Sequence, residues 1–158
     1  RSDIDRTTTY TIADLDNITI KSYDADDKPA GWYMNFPGTG EKVLSEATIF
    51  GGVIYLTSYT PSQSNDPCSM AGIGSLYALN YVSGSGILGG GARSMQLGLG
   101  IPSPPIISMK PGNAASADLY VTVSGGSGTG ASTQRANVNP PGVANRTNVL
   151  FWRDKRVQ

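Results

Sequence analysis

The chain has no histidine and one cysteine, Cys68, among its 158 residues. Without histidine the usual general base near neutral pH is missing, and neither a Ser/His/Asp nor a Cys/His nucleophilic arrangement can be built. One cysteine cannot close an internal disulfide, and with no second Cys and no His it cannot assemble a zinc site. Excess charge is also missing: 12 Lys plus Arg balance 12 Asp plus Glu. No global field gathers nucleic acid or an anionic membrane, and the cluster Arg153, Lys155, Arg156 is too small to make one. No run of 18 apolar residues occurs, which excludes a transmembrane helix. An initiating Met and a signal-peptide pattern are missing too, so the chain reads as a mature product or a piece excised from a longer precursor.

What is abundant is turn chemistry. Twenty glycines and 10 prolines accompany only 15% charged residues, the composition of a turn-rich all-β protein. The stretch Glu41 to Leu88 organises the rest. Ala47 to Phe50 and Val53 to Tyr59 are β-branched and aromatic, split by Gly51-Gly52, and Ser75 to Tyr81 gives a third strand closed by a glycine turn. Upstream, Thr7 to Ile12 and Ile18 to Ile20 read as edge strands, and Gly31 to Phe36 alternates with Trp32, Met34 and Phe36 on one face. Downstream, Ile106 to Met109, Leu119 to Val123 and Asn148 to Trp152 are strand candidates. The segment 84–100 carries seven glycines and reads as a connector, and Gly125 to Asn145 as a loop. Thr60 to Gly74 reads as a long irregular insertion.

ATIFGGVIYLTSY with SLYALN parallels PPIISMKPG with DLYVTVSGG. Short antiparallel strands repeating in this way are expected of propeller blades, here over about 31–88 and 101–153. Two to three blade-like repeats are too few to close a ring. The expectation is therefore one all-β unit over 1–158, part of a β-propeller, with a sandwich or meander completed by a partner chain as the alternative.

Several patterns resolve to bland readings. Asp24, Asp26 and Asp27 lack the D-x-D-x-D-G spacing and terminal Glu of a calcium loop, and read as a turn. Glu41 and Glu46 read as charges flanking turns and not as a glycosidase pair. Gly89 to Gly91 and Gly125 to Gly130 do not end in the Gly-Lys-Ser/Thr of a phosphate loop. Asn17 and Asn145 sit in N-glycosylation sequons, a weak pattern. No catalytic residue, metal ligand or cofactor is assigned. Cys68, beside Pro67 and with no neighbouring cation, reads either as one half of an intermolecular disulfide or as a small buried apolar residue. Trp32, Tyr33, Tyr59 and Trp152 are the candidate interaction surface, since aromatic faces stack on sugars, though the same residues build the core of a small β domain.

Gly31-Trp32-Tyr33, Gly40 to Leu44, Tyr55 to Pro61, Pro67-Cys68 and Gly74 to Leu79, followed by Gly100 to Pro105 and Phe151-Trp152-Arg153, together resemble the C-terminal β-propeller of the PilY-type type IV pilus biogenesis factors. The ordered set covers roughly two thirds of the chain. The resemblance implies an exported bacterial protein at the cell surface or pilus that supports pilus assembly, extension, twitching motility and adhesion without catalysis. Its partners would be the remainder of its precursor or pilins, in a homo- or hetero-oligomeric filament, with no nucleic acid. Members carry a calcium loop; the pattern is missing here, so calcium control does not transfer. A structural subunit of an extracellular filament and a carbohydrate-binding adhesive module are the alternatives.

Overall fold

Gly51 and Gly52 carry φ of 57° and 83°, the left-handed pair that a two-residue hairpin of the right twist demands. In the computed structural model, which describes residues 9–26, 28, 30–63, 71–109, 117–125 and 130–140, they close a hairpin whose register sets Phe50 opposite Val53. The protein is all-β with antiparallel sheets. In chain order the strands are β1 (Asp16–Asn17), β2 (Trp32–Tyr33), β3 (Lys42–Val43), β4 (Thr48–Phe50), β5 (Val53–Thr60), β6 (Ile73–Asn80), β7 (Ser94–Leu99), β8 (Ile106–Met109), β9 (Ala117–Val123) and β10 (Ser132–Val138). β3, β5, β6 and β7 form a central sheet in that order, with β4 also on β5; β10, β9 and β8 form a second sheet, and β1 with β2 a short parallel pair.

Strand periodicity sorts the central sheet into two faces. On one, Val53, Tyr55, Leu76 and Ala78 meet Leu119, Val121 and Val123 of β9 in the main core, each at most 2% exposed. Hydroxyls seal the margin: Thr57 Oγ1 donates to the Ser103 carbonyl (2.9 Å) and Thr48 Oγ1 to that of Pro105 (3.2 Å), tying the proline segment before β8 to the central sheet. On the other face lie Tyr77 and Leu79, 3% and 2% exposed. There the ring of Phe36 meets Tyr77 edge-on at 5.1 Å. Glu41 reaches the same face: Oε1 accepts from Ser58 Oγ (2.5 Å) and the Tyr77 hydroxyl (2.8 Å), and Oε2 from the Gly38 N–H (2.9 Å). Burial and the adjoining Glu41 charge push the Tyr77 phenol well above its ordinary pKa. The central sheet is thus covered on one face by β8 to β10 and on the other by the chain before β3.

Several expectations need correction. The segment 84–100 is not merely a connector: Ser94–Leu99 pairs with β6, and a bulge between Gly74 and Ser75 turns Leu97 into the core. Five of the seven glycines precede the strand, and of the other two only Gly98 lies within it, opposite Gly74. The loop expected over Gly125 to Asn145 contains β10, polar because all but its last residues face solvent, and seven register pairs hold it to β9. Ile18 to Ile20 is not a strand. Asn17 Oδ1 accepts from the N–H (3.0 Å) and hydroxyl (2.6 Å) of Thr19, which bends the chain after β1. Ile12–Asp14 is a turn of 3-10 helix closed by the Asp14 carboxylate on Thr11, so no strand reaches Ile12. Of Gly31 to Phe36, only Trp32–Tyr33 is strand. Residues 1–8, the turn at Pro111-Gly112-Asn113, Cys68 and the candidate strand Asn148 to Trp152 lie outside the described residues.

Candidate functional site

Asp16 starts the construction of an aromatic cleft. Its side chain is 4% exposed; Lys21 Nζ contacts Oδ1 at 2.6 Å and the Asp24 N–H donates to Oδ2 at 3.0 Å. Those bonds, that of Lys21 first, hold the Asp16 carboxyl below the usual carboxylate range. The intervening loop folds back over β1, and Tyr23 within it donates its hydroxyl to the Lys28 carbonyl (2.8 Å). Asp24 Oδ1 accepts from the Asp26 N–H (3.0 Å), so the chain turns between these two acidic residues as expected, while Asp27 lies outside the described residues.

Trp32 enters beside this loop from β2. Its indole Nε1 donates to the Tyr81 carbonyl at 3.2 Å. Gly84, at φ +64°, leaves the space that the Trp32 ring and Ile18 occupy; a Cβ there would collide with Ile18 Cδ1. Arg93 fastens the layer from the far side: Nη1 donates to the Ile18 carbonyl and Nη2 to that of Lys21 (2.8 Å). The result is a cleft of about 420 Å³ lined by Tyr23, Trp32, Tyr81, Ile54 and Val82, with Ala30 and Gly31. Tyr81 and Val82 are half exposed at its rim.

Among the described residues, Trp32 is the one proposed interaction residue in this cleft. Tyr33 lies half-buried on β2, its carbonyl accepting from the Ile18 N–H (3.0 Å). Tyr59 sits at the other end of β5 from Ile54, about 17 Å along the strand at its ordinary rise, and its hydroxyl accepts from the Gly72 N–H (3.2 Å). The structure does not bring Trp32 and Tyr59 together. Trp152 and Cys68 fall outside the described residues. The partners Trp32 does acquire, Tyr23 and Tyr81, were not singled out by sequence reasoning; the signal available was an apolar Tyr81-Val82 pair set directly before a glycine turn.

Chemically, the cleft offers faces more than hydrogen bonds. The Trp32 indole N–H and the Tyr23 hydroxyl are both committed internally, so ring stacking and dispersion dominate what it can hold. Among the described residues no group of three or more His, Cys, Asp or Glu converges as a metal site would require, and no helix is long and apolar enough to cross a membrane. Comparison with protein families, curated proteins and solved structures finds no match.

Proposed function

We propose that the chain is a non-enzymatic type IV pilus-associated surface protein whose antiparallel layers are successive blades of a β-propeller, supporting pilus assembly, extension or adhesion. The observation that carries this reading is the ordered set of segments resembling the PilY-type propeller. Two of them, Tyr55 to Pro61 and Gly74 to Leu79, coincide with the paired strands β5 and β6. The cover on both faces of the central sheet is in keeping with a blade between neighbours.

The test is genetic and biochemical. Deleting the coding region in a piliated host should reduce surface pili and twitching, and an epitope-tagged copy should co-purify with sheared pili. Unchanged piliation and motility, with the tag absent from the sheared fraction, would overturn the proposal. Immunogold labelling of the same filaments separates the structural-subunit alternative, which expects label along the whole shaft.

A second reading, adhesion to glycans, is favoured by the Tyr23–Trp32–Tyr81 cleft. A glycan array with the wild type and Trp32→Ala should show binding that the substitution removes; no binding by the wild type retires it.

A further inference from the structure

The tripeptide Asn17-Ile18-Thr19 is a weak pattern as sequence, but the fold holds all three residues in place. Ile18 is fully buried; its N–H donates to the Tyr33 carbonyl (3.0 Å) and its carbonyl accepts from Arg93 Nη1. On either side of it Asn17 is exposed and Thr19 half-buried. Asn17 Oδ1 accepts from both the N–H (3.0 Å) and the hydroxyl (2.6 Å) of Thr19. A backbone N–H can only donate, so the amide atom it meets is the oxygen and the other is the nitrogen. The Thr19 hydroxyl is itself oriented. The Asn35 N–H donates to Thr19 Oγ1 at 3.0 Å, which leaves the hydroxyl proton for Asn17.

These bonds have a chemical consequence. Two donors on Oδ1 draw electron density toward the oxygen, and the relay from Asn35 through Thr19 strengthens the second of them. The Nδ2 protons become more acidic, which an amide nitrogen needs before it can attack carbon. Nδ2 itself makes no hydrogen bond among the described residues. Asn17 lines an open cleft of about 420 Å³ with Thr19, Ile20, Lys21 and Asn35. Ile20 is 96% exposed, an apolar shelf for the C–H face of a pyranose, and Lys21 and Asn35 supply polar groups at its margin.

We infer that Asn17 is a glycosylation acceptor, its Nδ2 presented by the folded turn to a transferase of the host. In the step, Nδ2 bonds to the anomeric carbon of a sugar activated as its diphosphate ester. The anomeric C–O bond breaks, the diphosphate leaves with the electron pair, and Nδ2 gives up one proton to the base of the transferase. The attached pyranose lies in the open cleft over Ile20. This acceptor role is independent of the pilus reading and of the aromatic cleft.

The full chain recovered from its own host tests this. Peptide mass mapping should find the peptide that contains Asn17 heavier by one or more sugar residues, and electron-transfer fragmentation should place the sugar on Asn17. Unmodified recombinant chain is then offered separately to host membranes, which carry polyisoprenyl-diphosphate sugars, and to the soluble fraction with nucleoside-diphosphate sugars. It should accept sugar from one of the two, which names the donor. Asn17→Gln should abolish transfer. Thr19→Ser, which keeps the hydroxyl, should retain it, and Thr19→Val, which keeps the shape without the hydroxyl, should slow it about tenfold or more, the loss of one hydrogen bond. The blocked peptide of residues 15–20 has the same tripeptide without the Asn35 N–H, and should accept sugar about tenfold more slowly than the folded chain. A bare Asn17 in the host's protein, sugar on Thr19 or only on Asn145, undiminished transfer to Thr19→Val, or equal rates for the peptide and the folded chain would each overturn the assignment.

Discussion

Three side chains carry most of what is unusual in the packing. Tyr55 is fully buried, and its hydroxyl has no hydrogen-bond partner among the described residues, so desolvation pushes its pKa up to about 12. Tyr55→Phe should therefore leave stability unchanged or raise it by up to about 1 kcal/mol, because the orphaned hydroxyl contributes a desolvation cost without a bond; urea unfolding measures this. The raised pKa has a pH consequence. The unfolded chain loses the phenol proton near pH 10 while the folded chain keeps it, so this stability is full below pH 10 and is lost as pH rises toward about 12. Tyr55→Phe should flatten part of the decline across that window. Glu41 works oppositely: Glu41→Ala strands the buried Tyr77 hydroxyl and should cost about 1–3 kcal/mol, while Glu41→Gln should cost less. An equal loss from both substitutions would refute the hydrogen-bonding role. Glu41 reads locally as a charge beside a turn; its task depends on residues 17 and 36 positions away.

Among the elements, the junction of the N-terminal layer with the central sheet is the most sharply defined. Gly84 sits at φ +64° against Ile18 and the Trp32 ring. Gly84→Ala adds the left-handed backbone penalty, about 1–2 kcal/mol, to a collision with Ile18. It should lower the melting temperature and red-shift the Trp32 emission as the layer lifts, whereas Ala at the open position Gly89 should do neither. The strong strands β5, β6, β8 and β9 were legible because β-branched and aromatic residues alternate between turn signals. β7 and β10 were not. β7 is embedded in a glycine-rich stretch and β10 is almost wholly polar, and each is held by the ladder of a stronger neighbour, which a single segment does not display. Of the candidate aromatic surface, Trp32 was named from the sequence, with the core as its default role, but not its companions: Tyr81 is 49 residues away and is placed by the β6 turn.

Taken whole, the molecule stacks one sheet on another through Val53, Tyr55, Leu76 and Ala78 on one side and Leu119, Val121 and Val123 on the other. Each sheet alone would expose that face, and small sheets are marginal without cover. Leu119→Ala at the centre of the contact should cost about 2–5 kcal/mol. It should shift far-ultraviolet and near-ultraviolet dichroism transitions together, since neither sheet keeps its core without the other. Two separated transitions in the wild type would show that the sheets fold independently.

An all-β chain of antiparallel strands follows from local physics written into the residues themselves: period-two alternation, β-branched stiffness at χ1, and glycines where a hairpin needs positive φ. The number of layers, the edges left open and the fate of Glu41, Trp32 and Arg93 follow from contacts that span the chain. Arg93 closes on the carbonyl of Ile18 across 75 positions. Such partners are chosen by which faces must leave water together, and that choice exists only once the sheets have stacked.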